Sequence, residues 1–460
     1  MIGRTFELIA GERALGCALA AFLTVAGAAA ALAVPEVQLT AEQTASYQQM
    51  DENTRVRLLI DLARQGQHET VAVLMQRYPL TGPLAANRTL FLQGMIAKGR
   101  GKLTLATEKF RAALAADPSL TLVRAELAET LFLLEEDDSA KHHLSLLMGA
   151  APNETAASGI KSFIDRIDAR RPYTISAFVS VAPSTNINNG TQNKKIYDDL
   201  GVATVSTESR AQSGIGLSAG LDAGYSKRLS EDIAAVVGAG VYGRVYRDND
   251  FNQFVGSTSA ELRYLNDAGY IGAGAVASVT FSGEDPGMSY WGLGPRLSLS
   301  RQLTPQDSLN ASTTFEFRHY PDLDMQNGYA SLNSLSLVHA FSSDLLGFAR
   351  GNFSRVETGL DYLDNWSFGG SIGVYKELPH GITANADLAI QRTAYDADWP
   401  NMTDPRDDTR YTGTISLTKR DLDLFGYAPV IEYSYSYNDS NVGLYQYDSH
   451  TVDFRLTKDF

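Results

Sequence analysis

From Tyr173 onward the chain alternates. In Trp291–Leu303 the residues Trp291, Leu293, Pro295, Leu297, Leu299 and Leu303 share one parity, and Gly292, Gly294, Arg296, Ser298, Ser300 and Gln302 share the other. Side chains on a strand point alternately to its two faces, so this segment has an apolar face and a polar one. Thirteen further runs of this kind are predicted around it. The first begins at Tyr173, and the others lie near 211–228, 232–247, 251–265, 269–282, 308–320, 328–341, 345–358, 366–378, 381–395, 408–420, 427–438 and 447–460, with 288–303 as the reference segment. No helical period interrupts them, which predicts an antiparallel sheet. A sheet that wide must fold over or close, and an apolar outside with a polar inside is the transmembrane form of closure.

The connections support that reading. Turns at 229–231, 266–268, 304–307, 342–344, 379–380 and 421–426 are short. Those at 183–210, 283–287, 321–327, 359–365, 396–407 and 439–446 are mostly longer and rich in Asp, Asn and Gly. Short periplasmic turns facing longer outer loops are the layout of an outer-membrane barrel. An even number of crossings returns the chain to the periplasm. Val452, Phe454, Leu456 and the terminal Phe460 share one face and resemble the C-terminal signal read by the barrel-assembly machinery.

Ahead of Tyr173 the period becomes helical. Pro118 and Pro152 are spaced by one tetratricopeptide unit of about 34 residues. In the unit ending at Pro118, Leu90, Gly94, Ala106, Phe110 and Ala113 follow the small–large–small pattern of that repeat, with Gly94 and Ala106 admitting a close helix approach and Phe110 filling the gap. Ala128, Leu131, Ala140, Leu144 and Leu147 take the same offsets before Pro152. A weaker unit with Leu58, Leu62 and Ala72 ends near Pro83, and Thr155–Ala169 is predicted to cap the array. Arg170-Arg171-Pro172 ends the helices, because proline and its predecessor resist helical geometry.

The predicted fold class is therefore α+β and multidomain: an all-α tetratricopeptide-like solenoid, then a 14-stranded antiparallel transmembrane β-barrel. The expected boundaries are a signal peptide at 1–33, a loose linker at 34–50, the helical domain at 51–170 in the periplasm and the barrel at 171–460 in the outer membrane. The signal reading rests on Arg4 and Arg13, the apolar Ala14–Ala30 stretch and the small-x-small Ala31-Leu32-Ala33. The sole cysteine, Cys17, lies in this segment, so no disulfide framework is expected beyond it.

Charge narrows the function. The chain carries 39 basic and 53 acidic residues, a net −14, which argues against nucleic acid as a partner. The histidines form no helical His-x-x-x-His pair, and neither a Gly-x-Ser-x-Gly elbow nor a phosphate-cradling loop is present, so no catalytic residue, cofactor or metal is assigned. Asp396, Asp398, Asp404, Asp407 and Asp408 read as a solvated acidic outer loop. Glu261, Arg263, Arg296, Glu316, Arg318 and Glu432 sit on polar strand faces and are expected in the lumen, either bracing the interior or lining a path for a client. Phe178 breaks the polar face of the first strand and is a candidate lumen plug. Asn186, Asn188 and Asn189 follow that strand and either order a folded-back loop or gate the pore. In the helical domain Phe110, Leu114, Leu131 and Leu144 are expected in the core, and Gln93, Lys98 and Arg124 are the candidates for a concave partner face.

Arg171-Pro172-Tyr173 through Ala182-Pro183-Ser184-Thr185-Asn186-Ile187-Asn188-Asn189, the strand start Trp366-Ser367-Phe368-Gly369-Gly370 and the terminal Phe460 resemble the surface lipoprotein assembly modifier (Slam) family. The resemblance implies a periplasmic tetratricopeptide domain joined to a fourteen-stranded barrel. It also implies a translocator that carries a client lipoprotein or small secreted binding protein to the cell surface, with outer-membrane lipid and the assembly machinery as further partners. Under it, Asn186, Asn188, Asn189, Arg296, Glu316 and Arg318 become client or gating candidates, and Phe454, Leu456 and Phe460 an insertion signal. An exopolysaccharide export porin with periplasmic repeats is the alternative, and a surface adhesin or barrel-borne enzyme a third class.

Overall fold

The computed structural model describes residues 41–198, 201–283, 288–420, 422 and 427–457. The predicted signal peptide and the terminal Phe460 lie outside the described residues. The chain divides into two compact units. One comprises the residues through Arg170 together with Ala340–Asp344 and Glu377–Ile382; the other comprises the remainder.

Helices in the first unit run as α1 (Ala41–Gln49), α2 (Glu52–Arg64), α3 (His68–Arg77), α4 (Ala85–Gly99), α5 (Leu103–Ala116), α6 (Thr121–Leu133), α7 (Asp137–Gly149) and α8 (Glu154–Arg170). The Asp51 side chain accepts from the Thr54 backbone N–H at 3.1 Å and starts α2. Gly66 and Gly101, at φ +80° and +73°, end α2 and α4 in the left-handed conformation that glycine tolerates best. Pairs α2/α3, α4/α5 and α6/α7 are the three repeats, and α8 follows them. Leu59, Phe91, Leu92, Phe110, Leu127 and Leu131 are wholly buried and form one continuous core. A close approach falls at Gly94, where a Cβ would lie 2.4 Å from the Phe110 ring. Residues 41–49, expected as part of a loose linker, are helical instead, and Tyr47 from this helix is buried in the core against Tyr78. Gln48 beside it adds a hydrogen bond to the Tyr78 hydroxyl at 3.2 Å.

The strands form a closed barrel of fourteen, lying in the second unit except for the last residues of β10 and β12 and the first of β13, which belong to the first: β1 (Tyr173–Ser184), β4 (Gly214–Arg228), β5 (Ile233–Val245), β6 (Gln253–Asn266), β7 (Gly269–Ser282), β8 (Met288–Gln302), β9 (Asp307–His319), β10 (Gly328–Ser342), β11 (Leu345–Glu357), β12 (Asn365–Leu378), β13 (Ile382–Asp398), β14 (Pro405–Lys419), β15 (Ala428–Ser440) and β16 (Tyr447–Thr457). Neighbours follow chain order, and β1 closes on β16. A small hairpin, β2 (Lys195–Asp198) with β3 (Gly201–Thr204), stands in the first long connection. The outer face is apolar: Ile175, Val179, Leu217, Leu293, Leu297, Phe368, Ile372, Ile415 and Phe454 all point outward. In water such a band would be prohibitive, and in lipid it is the solvated surface.

The acidic outer loop needs correction. Asp396 and Asp398 belong to β13, and Asp407 and Asp408 to β14. Asp396 pairs with Arg355 at 2.6 Å, Asp407 with Arg392 at 2.5 Å and Asp408 with Arg406 at 2.5 Å. Asp396, Asp407 and Asp408 are thus paired on extended strands, while Asp404 stays in the connection between β13 and β14.

Candidate functional site

A groove of about 500 Å³ runs along the helical unit between α3, α4 and α5. Its floor is Met75, Ile96 and Leu105, and its rim carries Gln93, Arg100, Lys102 and Lys109. Glu69 takes a two-pronged bond from Arg100 at 2.8 and 2.7 Å, and this bond holds its carboxyl below the usual range. An apolar strip edged by Lys102, Arg100 and Lys109, the last two paired with Glu69 and Glu108, suits an extended segment carrying apolar and polar side chains.

Of the three residues expected on a concave partner face, Gln93 lines this groove. Lys98 reaches from α4 to Glu126 (2.8 Å) and Glu129 (2.5 Å) on α6. Burial pulls the Lys98 amine down, and the two carboxylates more than offset that, so it is held above its usual value. It clips successive repeats together. Arg124 is wholly buried. It donates to the Pro118 carbonyl at 2.7 Å and to Glu377 at 2.6 Å, and lies 3.2 Å from His143 Nδ1. Glu377 is equally buried and belongs to the same compact unit. Arg124 is therefore an internal ion-pair residue and presents nothing to a partner.

The barrel interior holds a repeated arrangement. On β6, Glu261 accepts from Arg263 at 2.8 Å and from the Ser298 hydroxyl two strands away on β8. On β9, Glu316 accepts from Arg318 at 2.9 Å and from the Ser278 hydroxyl two strands away on β7. Each carboxylate crosses a glycine on the strand between. A Cβ at Gly272 would lie 2.2 Å from Glu261 Oε1, and one at Gly292 would lie 2.1 Å from Glu316 Oε1. Each arginine also lies over a tyrosine, Arg263 over Tyr270 at 4.1 Å and Arg318 over Tyr290 at 5.3 Å. These long side chains are thus pressed along the wall. Arg296 shares the parity of Ser298 on β8, and Glu432 pairs with Arg455 at 3.2 Å. Phe178 lies against Gly220, within 6.2 Å of Tyr242, so it too follows the wall where a plug was expected.

The asparagines are woven into the first loop. Buried Asn186 donates to the Gly190 and Asp448 carbonyls, both at 2.9 Å, and its Oδ1 accepts from Gly190 N at 2.9 Å. Asn188 donates to the Glu208 and Arg210 carbonyls at 2.9 and 2.8 Å. Asn189 takes a left-handed φ of +49° at the tip. Thr191 and Asn193 both donate to the Gly443 carbonyl, which fastens this loop to the β15–β16 connection. Tyr445 of that connection packs on Trp399 and lies 3.2 Å from the Arg406 guanidinium. Sequence reasoning singled out neither Trp399 nor Arg406, which lie apart along the chain in segments with no motif.

A closed barrel, greasy outside and polar inside, preceded by tetratricopeptide-like repeats, defines an outer-membrane protein with a periplasmic repeat domain. The chain belongs to the surface lipoprotein assembly modifier family: that family's model matches residues 173–460, and the model of its N-terminal tetratricopeptide repeats matches 39–144. The chain is 22% identical to the hemophilin secretion modulator of Acinetobacter baumannii over 93% of its own length and 89% of that protein. It is also 22% identical to surface lipoprotein assembly modifier 1 of Haemophilus influenzae, over 88% of this chain and 84% of that one. Among solved structures, a FadL homologue of Pseudomonas aeruginosa matches 62% of this chain and 90% of its own, with 14% identity and a TM-score of 0.35.

Proposed function

We propose that this protein delivers a client, either a lipoprotein or a small secreted binding protein, across the outer membrane to the cell surface. The observation that carries this reading is the joint match of repeat and barrel models along one chain, in relatives named for surface assembly and secretion. In this reading the groove beside Gln93, Arg100, Lys102 and Lys109 receives the client. The wall carrying Arg296, Glu316 and Arg318 gives it a polar path, and the loop ordered by Asn186, Asn188 and Asn189 shapes the exit. No covalent step is required, and selectivity comes from differential binding of client over bystander. The N-terminal 33 residues serve as a cleaved export signal. Phe454, Leu456 and Phe460 present the insertion signal to the barrel-assembly machinery, and outer-membrane lipid surrounds the result.

The test is deletion of the gene followed by protease shaving of intact cells and identification of the released proteins. At least one lipoprotein or secreted protein is expected to leave the surface set and return on complementation. Replacing Arg100, Lys102 and Lys109 together by Glu should lower its display about tenfold with the barrel still assembled. An unchanged surface set, or loss of an exopolysaccharide alone, would overturn the reading.

A further inference from the structure

Part of the barrel's outer mouth is roofed. Asp408, Asn438, Tyr447 and Ser449 lie near the outer ends of β14, β15 and β16. Their parity is opposite to that of the outward-facing Ile415, Ile431 and Phe454, so they face the lumen. Water would meet them there if the mouth stood open above them, and all four are buried. Asn438 donates to the Tyr445 carbonyl at 2.7 Å, and Ser449 donates to the Asn186 carbonyl at 3.3 Å. The backbone of the connections therefore lies on the lumen side of the wall.

Four connections are joined in this roof. Tyr362, between β11 and β12, meets Trp399 edge-on at 5.5 Å, and Trp399, between β13 and β14, meets Tyr445 edge-on at 5.2 Å. Asn441, between β15 and β16, donates to the Pro405 carbonyl at 2.8 Å. The Gly443 carbonyl takes the bonds from Thr191 and Asn193, which brings in the connection after β1. Val205 from that connection and Val442 beside Gly443 are both buried. Arg406 is the pin. Its guanidinium lies 4.8, 5.4 and 3.2 Å from the ring centres of Tyr395, Trp399 and Tyr445, and it grips Asp408 with bonds of 3.1 and 2.5 Å. Arginine suits this position because its planar fork can stack on rings and hold a carboxylate at the same time. One side chain thus ties β13 and β14 to two of the connections.

Resting on the translocator reading above, we propose that these joined connections form a lid over the outer mouth, latched by Arg406, and that Tyr445 must leave Arg406 and Trp399 for a client to pass out. Ring stacking and short polar contacts hold the lid, and the wall beneath it is separate. The β14–β15 ladder runs from Asp408↔Ser440 to Thr418↔Val430, and lifting Tyr445 breaks none of it. A polar lumen open at both ends would leak small solutes, so a roof that lifts on demand keeps the membrane sealed between clients.

The test reads the lid on the purified full-length protein in planar bilayers, with potassium chloride as the only permeant. Arg406→Gln removes the charge and keeps much of the bulk, and Tyr445→Leu removes the ring. Arg392→Gln is the control, because Arg392 forms a similar pair with Asp407 across β13 and β14 on the opposite, outward face. Each latch variant is expected to raise the mean conductance about threefold, with the control matching the parent. Cells carrying a latch variant should also become more sensitive to vancomycin, which an intact outer membrane excludes, and cells carrying the control should not. Unboiled samples that still migrate as folded barrels confirm assembly, and if one latch variant does not assemble the other decides. Parental conductance in an assembled latch variant would overturn the lid, and so would an equal rise in the control. No client is present in the bilayer, so the two readings fail separately. A surface set unchanged on gene deletion would remove translocation, whatever the conductance shows.

Discussion

The Arg124–Glu377 pair shows how far a single position can depart from its expected role. Both side chains are inaccessible to solvent, and Arg124 spreads its donors over Glu377, the Pro118 carbonyl and His143. A buried pair is held together largely because each charge would be stranded without the other. Arg124→Met alone should therefore destabilise the helical unit by about 3–5 kcal/mol, while Arg124→Met with Glu377→Met should recover most of that loss. Thermal melts of the full chain in detergent, followed at 222 nm, check both. His143 adds a pH dependence. Burial, and then the Arg124 charge, push its imidazole well below the usual histidine value. The unfolded chain takes up this proton near pH ~6.5 and the folded chain does not, so the unfolded state gains as pH falls. Stability of the helical unit is expected to be full above that pH and to decline below it. The melting midpoint should drop between pH 7.5 and 5.5, and His143→Gln should flatten the drop.

At the scale of elements, glycines decide how closely neighbours sit. Gly94→Ala drives a methyl into the Phe110 ring and should cost about 1–3 kcal/mol by overpacking, with Gly94→Ala/Phe110→Leu less affected. Gly292→Ala occupies the space of the Glu316 carboxylate and should break its bond to Ser278, lowering the temperature at which the barrel unfolds on heating in detergent. The first of these contacts was legible in the sequence, because the repeat spacing places Gly94 opposite Phe110. The strands were legible as well. The strand predicted at 288–303 matches β8 to within one residue, and the run predicted at 269–282 coincides with β7, since period-two alternation is what a wall between lipid and water imposes. What was not legible depends on distant partners. Glu377 meets Arg124 across 253 positions, and no local pattern announces that. Hairpin β2–β3 carries no sustained alternation, and α1 offers Tyr47 as its one large apolar residue among largely polar neighbours. Lys98 and Arg124 were misplaced for a shared reason: a charged residue in a helix reads as surface unless its counterion is known.

For the whole molecule, the decisive property is closure. Fourteen strands return β16 to β1, so no strand has a free edge from which to fray, and unfolding in detergent should be slow and steeply dependent on temperature. The helical unit has no such constraint, since each repeat is held by its neighbours through contacts such as the Glu69–Arg100 bond and the Lys98 clip. The two units should therefore respond differently to heat in dodecyl sulfate. An unboiled sample is expected to migrate faster than a boiled one, because the barrel stays folded and compact while the helices have already opened. Limited proteolysis of the unboiled sample should leave a protected fragment beginning near Arg171-Pro172, where the helices end. If boiled and unboiled samples ran alike, or if the protected fragment came from the repeats, the second half would not be a lipid-embedded cylinder. The groove and the polar wall would then lose the membrane that gives them a purpose.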